Sequence, residues 1–177
     1  DCEGYEYESG RYIIQRFFLR KDQNQKTQSG LVLACEAGSY TQESETILKN
    51  DNSTTVFGTS DGVVLMFNVD HFHYLLGVSN DANSADKRYM NIQTYRALNE
   101  YPRPRINSIQ LGMLVHSSEN IGQSAAVTDE QVFEVLDHKV KLKTDPRVKN
   151  PKHIRQVLSQ TVAIRNGLVT HDTAEGI

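Results

Sequence analysis

Tyr12-Ile13-Ile14-Gln15-Arg16-Phe17-Phe18-Leu19 is a run of mostly β-branched and aromatic residues, and such residues favour β-strands. A shorter apolar run from Gly30 to Cys35 is bounded by turn residues and predicts a second strand. Ile106 to Val115 has the same character and predicts another. The N-terminal two-thirds of the chain therefore predicts an antiparallel or mixed β-sheet.

A hairpin from Thr54 to Val69 is the clearest local prediction. Its two apolar arms flank the turn Gly58-Thr59-Ser60-Asp61-Gly62. Both glycines of this turn can take the positive φ that tight turns need. We expect the two arms to pair with each other in antiparallel fashion.

The last third of the chain predicts two helices. Thr128-Asp129-Glu130-Gln131 matches a capping box, in which two side chains bond to the free amides at a helix start. The apolar residues that follow recur on one helical face, namely Val132, Phe133, Leu136 and Val140. Asn150-Pro151 is a typical start for the second helix, whose apolar stripe comprises Ile154, Val157, Leu158 and Thr161.

A helix from Ala85 to Asn99, capped by Ser84, is also predicted in the middle of the chain. The expected fold class is α+β, with the sheet packed by two C-terminal helices. The 177 residues predict a single globular domain over residues 1–177, with 1–10 and 168–177 as extended termini.

Composition and motifs limit the classes of function that the sequence favours. The net charge of −3 argues against a protein that binds nucleic acid or anionic lipid over its whole surface. No apolar run approaches the roughly 18 residues of a membrane span. Glycine-rich nucleotide loops, Cys-x-x-Cys pairs and a Gly-x-Ser-x-Gly motif are absent from the sequence, so we expect no cofactor and favour a non-enzymatic role.

The two cysteines fit two interpretations. A bond between Cys2 and Cys35 would close a 34-residue loop, worth roughly 3.5–4 kcal/mol on a chain-entropy argument. Alternatively, Cys35 is a free thiol buried in its strand. Pairing would indicate an oxidising, secreted or extracytoplasmic location, and the glycosylation pattern Asn52-Ser53-Thr54 points the same way.

Asp70-His71-Phe72-His73 is the first stretch that could carry chemistry. Residues two apart on a strand project from one face, so His71 and His73 could converge as a general acid and base or as metal ligands. His116 and His138 are the candidates for a third metal ligand. The ordinary interpretation is that both histidines are partly exposed residues at a strand end.

A second stretch interleaves tyrosines with basic residues: Lys87, Arg88, Tyr89, Tyr95, Arg96, Tyr101, Arg103 and Arg105. Such residues favour protein interfaces and can also stack on bases or sugars. A basic run near the C-terminus comprises Lys139, Lys141, Lys143, Arg147, Lys149, Lys152 and Arg155. It could contact an acidic partner, or the acidic N-terminus of another copy.

The sequence as a whole predicts a non-enzymatic binding or assembly domain outside the cytoplasm. It would contact protein partners or copies of itself, as an oligomer, through its tyrosine, arginine and charged surface. RNA or a polyanionic glycan is the alternative partner. Two other functions stay open: a small metal-independent ribonuclease or nuclease toxin that uses His71 and His73, and a histidine-based metal-binding protein.

Overall fold

A computed structural model describes residues 1–22, 31–44, 46–49, 54–80, 87–121, 131–142 and 152–164. These residues are mostly β-sheet with one short helix. In chain order the elements are β1 (Tyr12–Lys21), β2 (Leu31–Tyr40), β3 (Val63–Phe67), β4 (Val69–Ser79), β5 (Arg88–Met90), α1 (Ile92–Arg96), β6 (Arg105–His116), β7 (Val132–Val135), β8 (His138–Lys141) and β9 (Arg155–Ala163).

β1, β2 and β3 form a three-stranded antiparallel sheet with β2 in the middle. Cys35 of β2 lies between Phe17 of β1 and Val63 of β3. Residues 32–39 of β2 are all buried, so this strand forms the core of the sheet. The strands predicted at residues 12–19 and 30–35 are thereby confirmed.

Glu36 fixes the loop that precedes β3. This fully buried carboxylate accepts hydrogen bonds from the Gly58 amide at 3.0 Å and from the Ser60 amide and hydroxyl at 3.2 and 2.7 Å. Arg16 Nε donates to it at 2.6 Å. The loop is therefore bound to the middle of the sheet by one charged side chain.

The predicted hairpin from Thr54 to Val69 is wrong in its pairing. Among the described residues its first arm forms an isolated bridge between Val56 and Leu48, whereas its second arm, β3, pairs with β2. The predicted turn glycines do have positive φ, 96° at Gly58 and 62° at Gly62. A Cβ on Gly62 would overlap the backbone of Cys35, so this glycine brings the chain directly against β2.

β5, β4, β6 and β9 form a four-stranded sheet in that order. β5 pairs antiparallel with β4 and sets Tyr89 opposite Gly77. A Cβ on Gly77 would lie 3.0 Å from the Tyr89 ring, so the absence of a side chain at Gly77 lets the ring pack against β4. The strand predicted at residues 106–115 is confirmed as β6.

β7 and β8 form a hairpin with the two-residue turn Leu136-Asp137. Leu136 has a φ of 56°, which costs free energy for a branched residue. A Cβ on Gly112 of β6 would lie 2.7 Å from Leu136 Cγ and 2.9 Å from Val135 Cγ1. Gly112 therefore leaves room for the turn to pack against β6, and this packing offsets the strain.

The prediction of two C-terminal helices is wrong, and with it the α+β class. Residues 132–141 form β7 and β8, and residues 155–163 form β9. β-Branched and aromatic residues at helical spacing can equally form strands, and pairing with neighbouring strands decides between the two. Of the predicted helix signals, Thr128 and Asn150 lie outside the described residues.

The helix predicted from Ala85 to Asn99 is also wrong in extent. Among the described residues only Ile92–Arg96 is helical, and Arg88–Met90 is a strand. Asn91 caps the helix, with its side-chain oxygen accepting from the Thr94 amide at 2.8 Å. The predicted cap, Ser84, lies outside the described residues.

The chain divides into two compact units. The first comprises Asp1–Phe72, Val115–Asp129 and Thr144–Gln156 and contains the three-stranded sheet. The second comprises His73–Leu114, Glu130–Lys143 and Val157–Ile177 and contains α1 and the β7–β8 hairpin. Within the described ranges, helices with the length and apolarity needed to cross a membrane are absent.

Candidate contact surfaces and a histidine cluster

His73, Asp137 and His138 lie together in the second unit and are called here the histidine cluster. His73 Nε2 is 2.8 Å from Asp137 Oδ1. The imidazole rings of His73 and His138 are stacked, with centroids 3.8 Å apart and planes 17° apart. One potential ligand atom from each residue lies within 4.8 Å of the others. His73 is half-buried, and the other two side chains are exposed.

Two elements position the cluster. His73 lies on β4, next to β6 in the sheet. Asp137 is the second residue of the hairpin turn, and His138 is the first residue of β8. Since Leu136 packs at Gly112 of β6, the same contact fixes both residues beside β4.

The structure brings some of the predicted candidate ligands together and leaves others apart. It contains His73 and one predicted third ligand, His138, but it does not include His71. Asp137 is not among the predicted ligands, because the sequence predicts a helix at this point of the chain. The available signal is a pair of short runs, Val132–Val135 and His138–Lys141, that flank two residues as the strands of a tight hairpin do.

The other candidate ligand, His116, lies in a buried ion-pair group of the first unit. Asp70 Oδ2 accepts a hydrogen bond from Arg155 Nε at 2.8 Å and lies 3.2 Å from His116 Nδ1. The His116 ring contacts that of His153 at a centroid distance of 4.8 Å. Arg155, the last residue of the predicted basic run, therefore forms an ion pair within the fold.

Opposing effects act on the pKa of Asp70. Burial raises the pKa of the carboxyl group, but hydrogen bonds and charge from His116 and Arg155 lower it by more. The net pKa lies below its ordinary value, so Asp70 is ionised at neutral pH. We therefore assign a structural role to this group, since Asp70 neutralises a nearly buried guanidinium.

The stretch from Lys87 to Arg105, called here the Tyr/Arg segment, belongs to the second unit. Seven of its eight predicted contact residues are exposed, and Tyr95 is half-buried. Tyr95 donates from its hydroxyl to the Pro104 carbonyl at 2.9 Å. Tyr101 is 98% exposed, which makes it the tyrosine of the segment that is most available to a partner.

Two arginines of the Tyr/Arg segment make contacts within it. Arg88 Nη2 donates to both carboxylate oxygens of Glu100, at 2.9 and 3.0 Å. Arg103 Nη2 donates to the Arg96 carbonyl at 3.4 Å. Both contacts join parts of the segment to each other. The contact with Glu100 also neutralises the positive charge of Arg88.

Tyr89 lies across the four-stranded sheet. Burial raises the pKa of its hydroxyl, but hydrogen bonds with Lys87, Ser108 and Thr161 together with the Lys87 charge lower it by more, so the net pKa is below its ordinary value. Ser108 lies on β6 and Thr161 on β9. This tyrosine therefore has a structural role as well as an exposed ring face.

An apolar surface lies on β3, which sequence analysis does not identify as a contact surface. Val63, Leu65, Met66 and Phe67 are each between 36% and 46% exposed. β3 is the end strand of its sheet and, in the described part of the chain, pairs with β2 only. An apolar end strand with unpaired backbone groups is a template for binding another chain.

The cysteines form a disulfide between Cys2 and Cys35, so the paired interpretation is the one found in the structure. The bond ties the N-terminal segment to the buried strand β2. The Glu3 carboxylate also accepts from the Ala37 amide of β2 at 3.1 Å. Asn52, the predicted glycosylation site, lies outside the described residues.

Comparison with protein families gives one informative match. Residues 31–166 match the PilW model, described as Type IV Pilus-assembly protein W. Comparisons with curated proteins and with solved structures give no match. The matched range runs from β2 to the residues just after β9 and covers more than three-quarters of the 177 residues. The chain therefore belongs to the type IV pilus-assembly protein W family.

Proposed function

We propose that this chain is a non-enzymatic subunit of type IV pilus assembly that acts by contacting other pilus proteins. The family match over residues 31–166 carries the proposal. The family and the disulfide indicate an extracytoplasmic or periplasmic location, because disulfides persist in oxidising compartments. Assembly requires protein partners, and the described surface offers two regions suited to them.

The first region is the apolar end strand β3. Its exposed side chains resemble one side of a protein interface rather than a surface for RNA or a glycan. A second protein strand added alongside β3 would pair with its unpaired backbone groups and cover its apolar side chains. We therefore propose that β3 pairs with a strand of another pilus subunit.

The second region is the Tyr/Arg segment, with exposed Tyr101 as its centre. Tyrosine and arginine provide large contact areas together with hydrogen-bonding groups, as many protein interfaces require. Arg96 and Arg105 are exposed on the same segment. This region would bind a polar or acidic surface, either of a pilus protein or of another copy of the chain.

A charge placed on β3 tests the proposal in cells. Leu65→Lys should greatly reduce the pili on cells that carry this variant as their only copy. Burying a leucine at an interface contributes about 1.5–3 kcal/mol, which corresponds to about tenfold or more in affinity. The measurement is the amount of pilus protein sheared from cells, normalised to the amount of the variant per cell.

Val162→Lys is the matched control. Val162 is 48% exposed on β9, an end strand of the four-stranded sheet, and Leu65 is 46% exposed. Both variants should fold, since surface substitutions change the free energy of unfolding by roughly 0.5 kcal/mol or less. Unchanged piliation with Leu65→Lys, or an equal loss with both variants, would contradict the role of β3. Unchanged piliation in a strain that lacks the chain altogether would contradict the assembly function itself.

A further inference from the structure

The histidine cluster has the composition of a transition-metal site. Imidazole nitrogen and carboxylate oxygen are ordinary zinc ligands, and sites that keep a fourth position open use three protein ligands. His73, Asp137 and His138 supply two nitrogens and one oxygen within 4.8 Å of one another. Mg²⁺ and Ca²⁺ prefer oxygen ligands alone, so this set selects for ions such as Zn²⁺.

The side chains of the cluster must adjust to admit an ion. Ligand atoms around a tetrahedral zinc ion lie about 3.3 Å apart, given Zn–ligand bonds of about 2.0–2.1 Å. His73 Nε2 and Asp137 Oδ1 are 2.8 Å apart and would separate slightly to admit an ion. The stacked His138 ring must turn so that a nitrogen lone pair points at the same position. This ring is exposed, so there is room for it to turn once its stacking on His73 is given up.

The backbone around the cluster is positioned before any ion arrives. His73 lies within an eleven-residue strand, and the hairpin turn is fixed by the packing of Leu136 at Gly112. Ligands held by packed elements lose little conformational entropy on binding, which favours affinity. The two ligands on the hairpin are adjacent in sequence, and the third comes from a different strand, so an ion would link the hairpin to β4.

We propose that His73, Asp137 and His138 bind one Zn²⁺ ion, with the fourth position open to water. Bound zinc joins β4 to the β7–β8 hairpin and stabilises the second unit. The site is distinct from β3 and from the Tyr/Arg segment. The inference therefore does not depend on the proposed assembly function.

The test is calorimetric titration of ZnCl₂ into the full chain, without a histidine tag, after dialysis against a chelator. We expect one equivalent of Zn²⁺ to bind and the melting temperature to rise with added zinc. His138→Ala and Asp137→Asn should each weaken binding by about tenfold or more and remove the rise in melting temperature. Both residues are exposed, so the variants should fold.

Glu134→Gln is the control, because it removes a different exposed carboxylate from the same hairpin. The Glu134 side chain is 74% exposed and lies 3.9 Å from Lys139 Nζ. This variant should bind zinc as the unaltered chain does, and MgCl₂ should give no binding heat. The proposal is overturned by an absence of zinc binding, or by equal affinity in the unaltered chain, His138→Ala and Asp137→Asn.

Discussion

Glu36 is a charged side chain in the middle of a buried strand, and its hydrogen-bond partners offset the cost of burying it. Burial raises the pKa of its carboxyl group, but hydrogen bonds from Ser60 and Gly58 and the charge of Arg16 lower it by more. The net pKa lies below the ordinary value of 4.5. The ionised form therefore stabilises the loop that precedes β3.

Glu36→Gln should lower the free energy of unfolding by about 2 kcal/mol near pH 7, because it weakens charge-assisted hydrogen bonds. A group with a lowered folded-state pKa stabilises the protein above its unfolded-state pKa. That stability is lost as the pH falls through the folded-state value. The difference between the two proteins should therefore shrink below about pH 4.5. Urea denaturation across this pH range measures it.

Glu43→Gln provides the comparison for this experiment, since Glu43 is exposed. It should change the free energy of unfolding by no more than about 0.5 kcal/mol. Asp70, whose pKa is also lowered, is present in every protein compared, so its acid-induced loss cancels in the difference. A pH-independent difference between Glu36→Gln and the unaltered chain would contradict the role of the Glu36 charge.

At the scale of elements, the β7–β8 hairpin shows how a glycine on one strand positions residues of another. Gly112→Ala would place a Cβ 2.7 Å from Leu136 Cγ, so the hairpin must shift. We expect a destabilisation of about 1–3 kcal/mol together with weaker zinc binding. Thermal denaturation and zinc titration of the same preparation measure both effects. Unchanged zinc affinity would show that the turn is positioned by other contacts.

The sequence predicts the elements whose patterns are unambiguous. β1, β2 and β6 follow from runs of β-branched and aromatic residues, and the turn glycines 58 and 62 follow from their spacing. β7, β8 and β9 do not, because their apolar residues also fit a helical period. The turn Leu136-Asp137 lacks the glycine or asparagine that identifies most two-residue hairpins, and its conformation depends on Gly112 of another strand.

At the scale of the whole molecule, the predicted role in assembly outside the cytoplasm agrees with the family, whereas the specific surfaces do not follow from sequence alone. The histidine cluster joins residues 64 positions apart, and packing of the β7–β8 hairpin at Gly112 of β6 brings them together. The apolar residues of β3 are typical of a buried strand, and the order of strands in the sheet is needed to show that β3 is an end strand. The single domain over residues 1–177 and the nuclease alternative stay predictions.

The bond between Cys2 and Cys35 also determines how this chain would carry mechanical load. When its two ends are pulled, the force passes from residue 2 through sulfur directly into β2, and the intervening loop bears no tension. When the disulfide is reduced, the 33 residues of sequence separation between Cys2 and Cys35 can be stretched as well. The fully extended chain should then be longer by about 120 Å, at roughly 3.6 Å per residue. Single-molecule force spectroscopy with and without reductant measures this increment, and equal contour lengths would refute it. A pilus-assembly protein with this bond can bear load while β1 stays folded.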